Sequence, residues 1–150
     1  MKTKALSIVI TITIFFFSLS LGWGAEIYIS SVKAGAKGDI EIPIMIDQIN
    51  KLAGVRLILR YDPKALIFKK GIKTKYSDPL ICVINSKKIG KLIIVMAGAK
   101  GISGKHFPLI KLIFKIKDKK GFQNSWIRII EAQLVSEDLK AIKCKISDTR

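Results

Sequence analysis

Residues 54–66 read Gly54-Val55-Arg56-Leu57-Ile58-Leu59-Arg60-Tyr61-Asp62-Pro63-Lys64-Ala65-Leu66. Val55, Leu57, Leu59 and Tyr61 fall on one side of an extended chain and Arg56, Ile58 and Arg60 on the other, which is the two-residue period of a strand. The strand stops at once. Asp62 can accept hydrogen bonds from amides two or three residues on, and Pro63 has its φ preset for a first turn, so residues 62–66 form one short helical turn or tight corner. Downstream, Gly90-Lys91 opens a strand over 92–96, and Gly98, Gly101 and Gly104 punctuate an irregular loop. Pro108-Leu109 then leads into a strand over 109–117, in which Ile110, Leu112, Phe114 and Ile116 share one face.

The rest of the chain repeats this pattern. Ile27 and Ile29 begin a first strand, and Gly35 and Gly38 make a turn before Ile40, Ile42, Ile44 and Ile46 alternate with Asp39, Glu41, Pro43, Met45 and Asp47. Pro43 cannot donate to a ladder, so this strand is predicted to lie at an edge or to bulge there. Residues 48–53 read as a connection, 65–69, 80–84, 125–133 and 141–146 as further strands, and 85–91 as a polar turn. The count is about nine, with no fixed-period repeat and no long helical pattern. This predicts an all-β fold in which two antiparallel sheets pack as a β-sandwich.

The ordered series from Gly54 through Lys117, with the strand over 39–47 before it, resembles a cohesin module, the non-catalytic half of the cohesin–dockerin pair. The resemblance implies a nine-stranded jelly roll. It also implies that a flat sheet face including the third, fifth, sixth and eighth strands receives the helices of a dockerin-like protein through an apolar centre and a polar rim. On that face it implies partner-binding roles for Arg56, Ile58 and Arg60 of the third strand and Lys91, Ile93 and Val95 of the sixth. Gly54 and Arg56 depart from the family pattern, because many cellulosomal cohesins carry an amide and an acid there. A dockerin of the common type is therefore expected to bind weakly unless its surface is acidic.

The N-terminus carries a leader. Lys2 and Lys4 precede an apolar run over 5–21 that contains Phe15, Phe16 and Phe17, and the small residues Gly22, Gly24 and Ala25 follow. This is the layout of a secretory signal peptide over residues 1–24, cleaved after Gly24, with one sandwich domain over 25–150. The competing reading is an uncleaved anchor that tethers the domain, since about 17 apolar residues can span a bilayer. Ser7, Thr11, Thr13, Ser18 and Ser20 dilute the run and favour cleavage. Either way the folded part lies outside the cytoplasm, secreted or at the cell surface. Without Lys2 and Lys4, 25 basic residues face 11 acidic ones, a net charge of +14. That charge fits contact with an anionic cell surface, or simply lysines on the solvent faces of strands. It does not fit nucleic acid, for which no basic helix, zinc spacing or aromatic-rich groove is present. Cys82 and Cys144 read as two small buried hydrophobes, against the alternative of a bridge closing a loop of roughly 60 residues.

The residues needed for catalysis are missing. His106, the only histidine, sits in a Gly-Lys-His-Phe-Pro loop with no cysteine or carboxylate at ligand or triad spacing. The 11 acids are scattered over strand ends and give no facing pair for sugar hydrolysis, and no calcium loop of Asp-x-Asp-x-Asp type occurs. The chain reads as a non-enzyme without a cofactor or metal. Two alternatives to a protein-binding module stand beside it. One is a carbohydrate-binding module linked to polysaccharide degradation, which needs exposed aromatic rings, with Trp126 and Tyr76 as candidates and Tyr28 and Phe122 behind them. The other is a structural component of an exported assembly.

Overall fold

The computed structural model describes residues 24–147. Nine strands are present among them: β1 (Ala25–Ile29), β2 (Lys33–Ala34), β3 (Asp39–Tyr61), β4 (Leu66–Lys73), β5 (Ile81–Asn85), β6 (Lys91–Ile116), β7 (Ile127–Ser136), β8 (Ala141–Ile142) and β9 (Cys144–Ser147). One short helix, α1 (Lys119–Gln123), follows β6, with the Asp118 carboxylate accepting from the amides of Lys120 and Gly121 at its start. The leader reading falls on residues outside those described. Among the described residues no helix is long and apolar enough to cross a membrane.

β3 and β6 are long because each passes through both layers of a sandwich. Their antiparallel pairing runs from Asp39 opposite Lys115 to Arg60 opposite Lys91. The first half of β3 and the second half of β6 lie in layer one, whose order is β4-β6-β3-β1-β9. The other halves lie in layer two, flanked by β5 on the β6 side and by β7 and then β8 on the β3 side. This is the all-β jelly-roll sandwich, and alternation decides which side chains fill it. Val55, Leu57, Leu59 and Tyr61 of layer two and Ile110, Leu112 and Phe114 of layer one are buried between the sheets. Tyr61 and Phe68 each meet Phe114 edge to face, with ring centroids 5.1 and 5.5 Å apart. The corner over 62–66 forms as the sequence predicts: the Asp62 carboxylate accepts from the Lys64 amide at 2.9 Å and the Asp62 carbonyl from the Leu66 amide at 3.0 Å.

Four features differ from the sequence reading, each for a local reason. Residues 48–53 and 98–104, predicted as connection and loop, lie inside β3 and β6 at the corner where the pair turns from one layer to the other. Between Leu52 opposite Ile102 and Gly54 opposite Ala97, β3 advances by two residues and β6 by five, so β6 follows the outer arc of the bend. Secondly, Pro43 is not on an edge strand, because β3 there lies between β6 and β1. It sits where β1 has ended: the Pro43 carbonyl accepts from the Ser30 amide at 3.0 Å, so its missing N–H points at the gap between β1 and β2. A register shift follows between Ile44 and Met45, where the sequence allows a bulge. Thirdly, β1 and β9 pair in parallel, in an otherwise antiparallel fold. They are the two ends of the domain, so no short turn dictates their relative direction. Lastly, the last predicted strand is split into β8 and β9, in different layers. Cys82 on β5 and Cys144 on β9 likewise stand in different layers as free, half-buried thiols, and burial raises the pKa of both.

The corner is held by polar groups. The Lys51 amide donates to Ser103 Oγ at 2.9 Å, the Glu137 amide donates to the Lys51 carbonyl at 2.8 Å, and the Gly101 amide donates to Glu137 Oε2 at 2.9 Å. Lys51 Nζ lies 3.5 Å from Glu137 Oε1. The Gly101 hydrogen bond, and after it the Lys51 charge, holds the Glu137 carboxyl below the ordinary glutamate value. Gly101 passes so close that an added Cβ would lie 2.5 Å from the backbone carbonyl carbon of Lys51. Two outcomes follow. Gly101→Ala must displace main chain rather than a flexible side chain, and in denaturant titration it should lose about 1–3 kcal/mol. For Glu137, whose folded-state pKa is depressed, the stabilisation is present above the unfolded glutamate range and is lost as pH falls through the folded value. Glu137→Gln should melt below the wild type at neutral pH in calorimetry. That gap should narrow as pH drops through about 4.3 and below.

Candidate partner-binding face

The outer face of layer two is a grid of four strands in the order β5-β6-β3-β7. Its register sets four rows. Lys91, Arg60 and Arg128 form one; Asn85, Ile93, Ile58 and Glu131 the next; Val83, Val95, Arg56 and Gln133 the third; and Ile81, Ala97, Gly54 and Val135 the last. All six residues that the sequence assigns to a partner site, Arg56, Ile58, Arg60, Lys91, Ile93 and Val95, stand on this one face. They are not equally available. Arg60 and Val95 are exposed, Arg56, Lys91 and Ile93 are half-buried, and Ile58 is only 7% exposed. Ile58, to which the resemblance gives a partner-binding role, is therefore covered in this structure. It occupies the middle of the sheet, with Ile93 and Glu131 opposite it on the two neighbouring strands and the arginine stems two residues away on either side.

The exposed apolar surface lies to one side of that centre. Ile81 is 73% exposed and Val83 62%, and with Val95 they make a stripe along β5 and β6. A second exposed isoleucine, Ile130, is the extra residue of β7 where its register with β3 shifts between Ile58 and Leu59. Sequence reasoning missed these three positions. Residues 80–84 are apolar throughout, so no alternation tells the inward Cys82 and Ile84 from the outward Ile81 and Val83. The bulge that turns Ile130 outward has no marker such as glycine beside it.

The polar side of the face is basic with one acid. Arg56 pairs with Glu131 across the β3-β7 boundary, each about two-fifths exposed, and Gln133 Nε2 donates to the same Glu131 oxygen at 3.1 Å. Arg60, Arg128 and Lys91 form the end row with no ion pair among the described residues. The face therefore offers an exposed apolar stripe, a positive rim and a single half-exposed carboxylate, with no acid/base pair and no nucleophile.

The aromatic candidates for a sugar platform are not brought together. Trp126 precedes β7, where its carbonyl accepts from the Asp62 amide at 2.9 Å and Arg128 lies 5.8 Å from its ring centroid. Tyr76, on the β4-β5 connection, stacks on Phe107 at 5.0 Å. Ile127, next to Trp126, pairs with Tyr61, whereas Phe107 pairs with Ile46, so the two rings attach to opposite halves of β3. His106 Nδ1 lies 2.7 Å from Asp47 Oδ1 in layer one, away from the face. Among the described residues no group of three or more potential metal ligands occurs.

No protein-family model and no curated protein matches this sequence. Solved structures do match. The sixth cohesin of scaffoldin B from Acetivibrio cellulolyticus, solved in complex with a dockerin, superposes with a TM-score of 0.73 at 18% identity, covering 85% of this chain and 96% of that one. A type I cohesin of Clostridium thermocellum, also solved with a dockerin, gives 0.70 at 22% identity, covering 85% and 91%. A non-cellulosomal cohesin from the hyperthermophilic archaeon Archaeoglobus fulgidus gives 0.67 at 17% identity, covering 85% and 87%. At these identities the likeness is one of architecture, and the chain has a cohesin-like fold.

Proposed function

We propose that this chain is a secreted, non-catalytic binding module that takes a dockerin-like protein partner on the outer face of layer two. The observation that carries the reading is the exposed stripe of Ile81, Val83 and Val95 beside Arg56, with Arg60 further along the same sheet face. Large β-branched side chains left in water on one face, next to one half-covered and one exposed arginine, are what a protein interface uses as its central contacts and its rim. Two of the structural neighbours were solved with dockerins bound, which supports a partner of that kind. The leader supports export.

The chemistry of the face also constrains the partner. Arg60, Arg128 and Lys91 need carboxylates opposite them, so the partner presents acidic side chains around an apolar ridge. Gly54 contributes no side chain to its row, which leaves a shallow step between Ala97 and Val135 that a protruding partner side chain can enter.

Titration calorimetry against dockerin modules of contrasting surface charge tests this. An acidic-surfaced dockerin should bind more tightly than a basic one. Val83→Asp and Arg56→Glu should each weaken it by about 30-fold or more, the effect of losing a central contact of about 2 kcal/mol. Melting temperatures should stay near that of the wild type, because both positions are on the outer face. Unchanged affinity in both variants, or no preference between acidic and basic dockerins, overturns the assignment of this face.

A further inference from the structure

Layer one has its own unusual outer face, on the side of the sandwich opposite the grid described above. Residues 63–77 hold five lysines and no carboxylate, and residues 109–123 hold five lysines and one carboxylate, Asp118. The pairing of β4 with the second half of β6 lays these two runs side by side. Ile110, Leu112 and Phe114 point inward, so Lys111, Ile113 and Lys115 point out. The register sets Ile67 opposite Lys115, Lys70 opposite Ile113 and Ile72 opposite Lys111. Lysine and isoleucine thus alternate both along the strands and across them. Lys69 is the extra residue where the β4 register shifts between Phe68 and Lys70, and both Lys69 and Lys70 are exposed.

Part of this charge is offset on the β3 side. Lys111 Nζ lies 3.0 Å from Glu41, and Asp39 stands opposite Lys115 on β3, so two carboxylates border the patch on one side. Asp118 is committed to the amides that start α1. Edge protection explains lysines on β4, which is an edge strand, but not those on β6, which lies between β4 and β3 there. Nor does attraction to a soluble acidic polymer explain the apolar half of the pattern. Ile67 and Ile72 are exposed between the lysines, and burying them requires an apolar phase. A sheet face of lysines with isoleucines between them is the composition that an anionic lipid surface selects, with ammonium groups at the phosphates and short apolar side chains at the headgroup boundary.

We propose that the outer face of β4 and the second half of β6 docks this protein on an anionic lipid surface, leaving the opposite face of the sandwich directed away from it. Co-sedimentation of the chain from Ala25 onward, which contains all nine strands, with vesicles of phosphatidylglycerol and phosphatidylcholine tests it against phosphatidylcholine alone. The wild type should bind the mixed vesicles, release as salt rises, and ignore the neutral ones. Lys69→Glu with Lys70→Glu should weaken binding by about tenfold or more. Lys140→Glu with Lys143→Glu, an equal charge change at exposed residues flanking β8, should weaken it by less than about threefold, since β8 and β9 lie at the edges farthest from β4. Ile67→Ser with Ile72→Ser should also weaken binding while leaving its salt dependence unchanged. Circular dichroism confirms that each variant is folded, and if the β4 lysine pair is not, the isoleucine pair and the salt titration still decide. Equal binding to neutral vesicles, equal loss in the two lysine pairs, or no loss in the isoleucine pair overturns the proposal. So does capture by a soluble polyuronate without capture by vesicles.

Discussion

The antiparallel pairing of β3 with β6 is the constraint on which the rest of the structure depends. Every other strand is attached to one of these two directly or through one neighbour: β1, β2 and β7 to β3, β4 and β5 to β6, with β9 and β8 added outside β1 and β7. A single ladder that continues through a corner fixes both sheets at once, because its register in layer one sets its register in layer two. A slip by one residue would turn Val55, Leu57 and Leu59 outward and bring Arg56 and Arg60 into the core. The charged groups of the outer faces guard the pairing as firmly as the apolar ones inside. The contacts are also distant in sequence, Asp39 with Lys115 being the extreme, so much loop entropy must be lost before the ladder stabilises anything.

What the sequence makes legible is facing, and what it hides is continuity. The alternation from Val55 to Tyr61 and from Ile110 to Phe114 assigns the inward and outward sides correctly, and Asp62-Pro63 marks the turn, because these signals are local. At the corner, Gly98, Gly101 and Gly104 read as loop punctuation although they lie within one bent strand. Gly101 is there for close approach to the main chain of Lys51, a long-range contact that no local pattern announces. Pro43 misleads in the same way. Its lack of an N–H is harmless only because β1 ends and β2 has not begun beside it, which is a property of a neighbouring segment. On the candidate face, Arg56, Arg60, Lys91, Ile93 and Val95 are legible by phase. The burial of Ile58 is not, since it comes from the strands on either side.

The two outer faces differ in how they treat their charges, and this separates their chemistry. On layer one, lysines alternate with isoleucines along a ladder and act as mobile point charges suited to a diffuse anionic surface. On layer two the cations near the apolar stripe are largely arginines, whose planar donors recognise individual carboxylates. Net charge alone would treat these as one positive sandwich. In the proposed reading the distribution makes them a broad, weakly selective face and a discriminating one, back to back across a shared core.

Arg56 shows how the discriminating face can be both occupied and available. It is held by Glu131, so in the unbound protein it is oriented rather than loose, and part of the entropy cost of fixing a long side chain has already been met. The pair is about two-fifths exposed on each side, and exposed pairs of this kind are worth no more than about 1 kcal/mol. A partner carboxylate can therefore share or replace Glu131 at small cost, whereas a partner presenting a lysine at the same point must compete with Arg56 for Glu131 and faces the Arg56 cation itself. The proposed preference for an acidic partner thus rests on repulsion of the wrong one as much as on attraction of the right one. It follows from residues that stabilise the fold very little themselves.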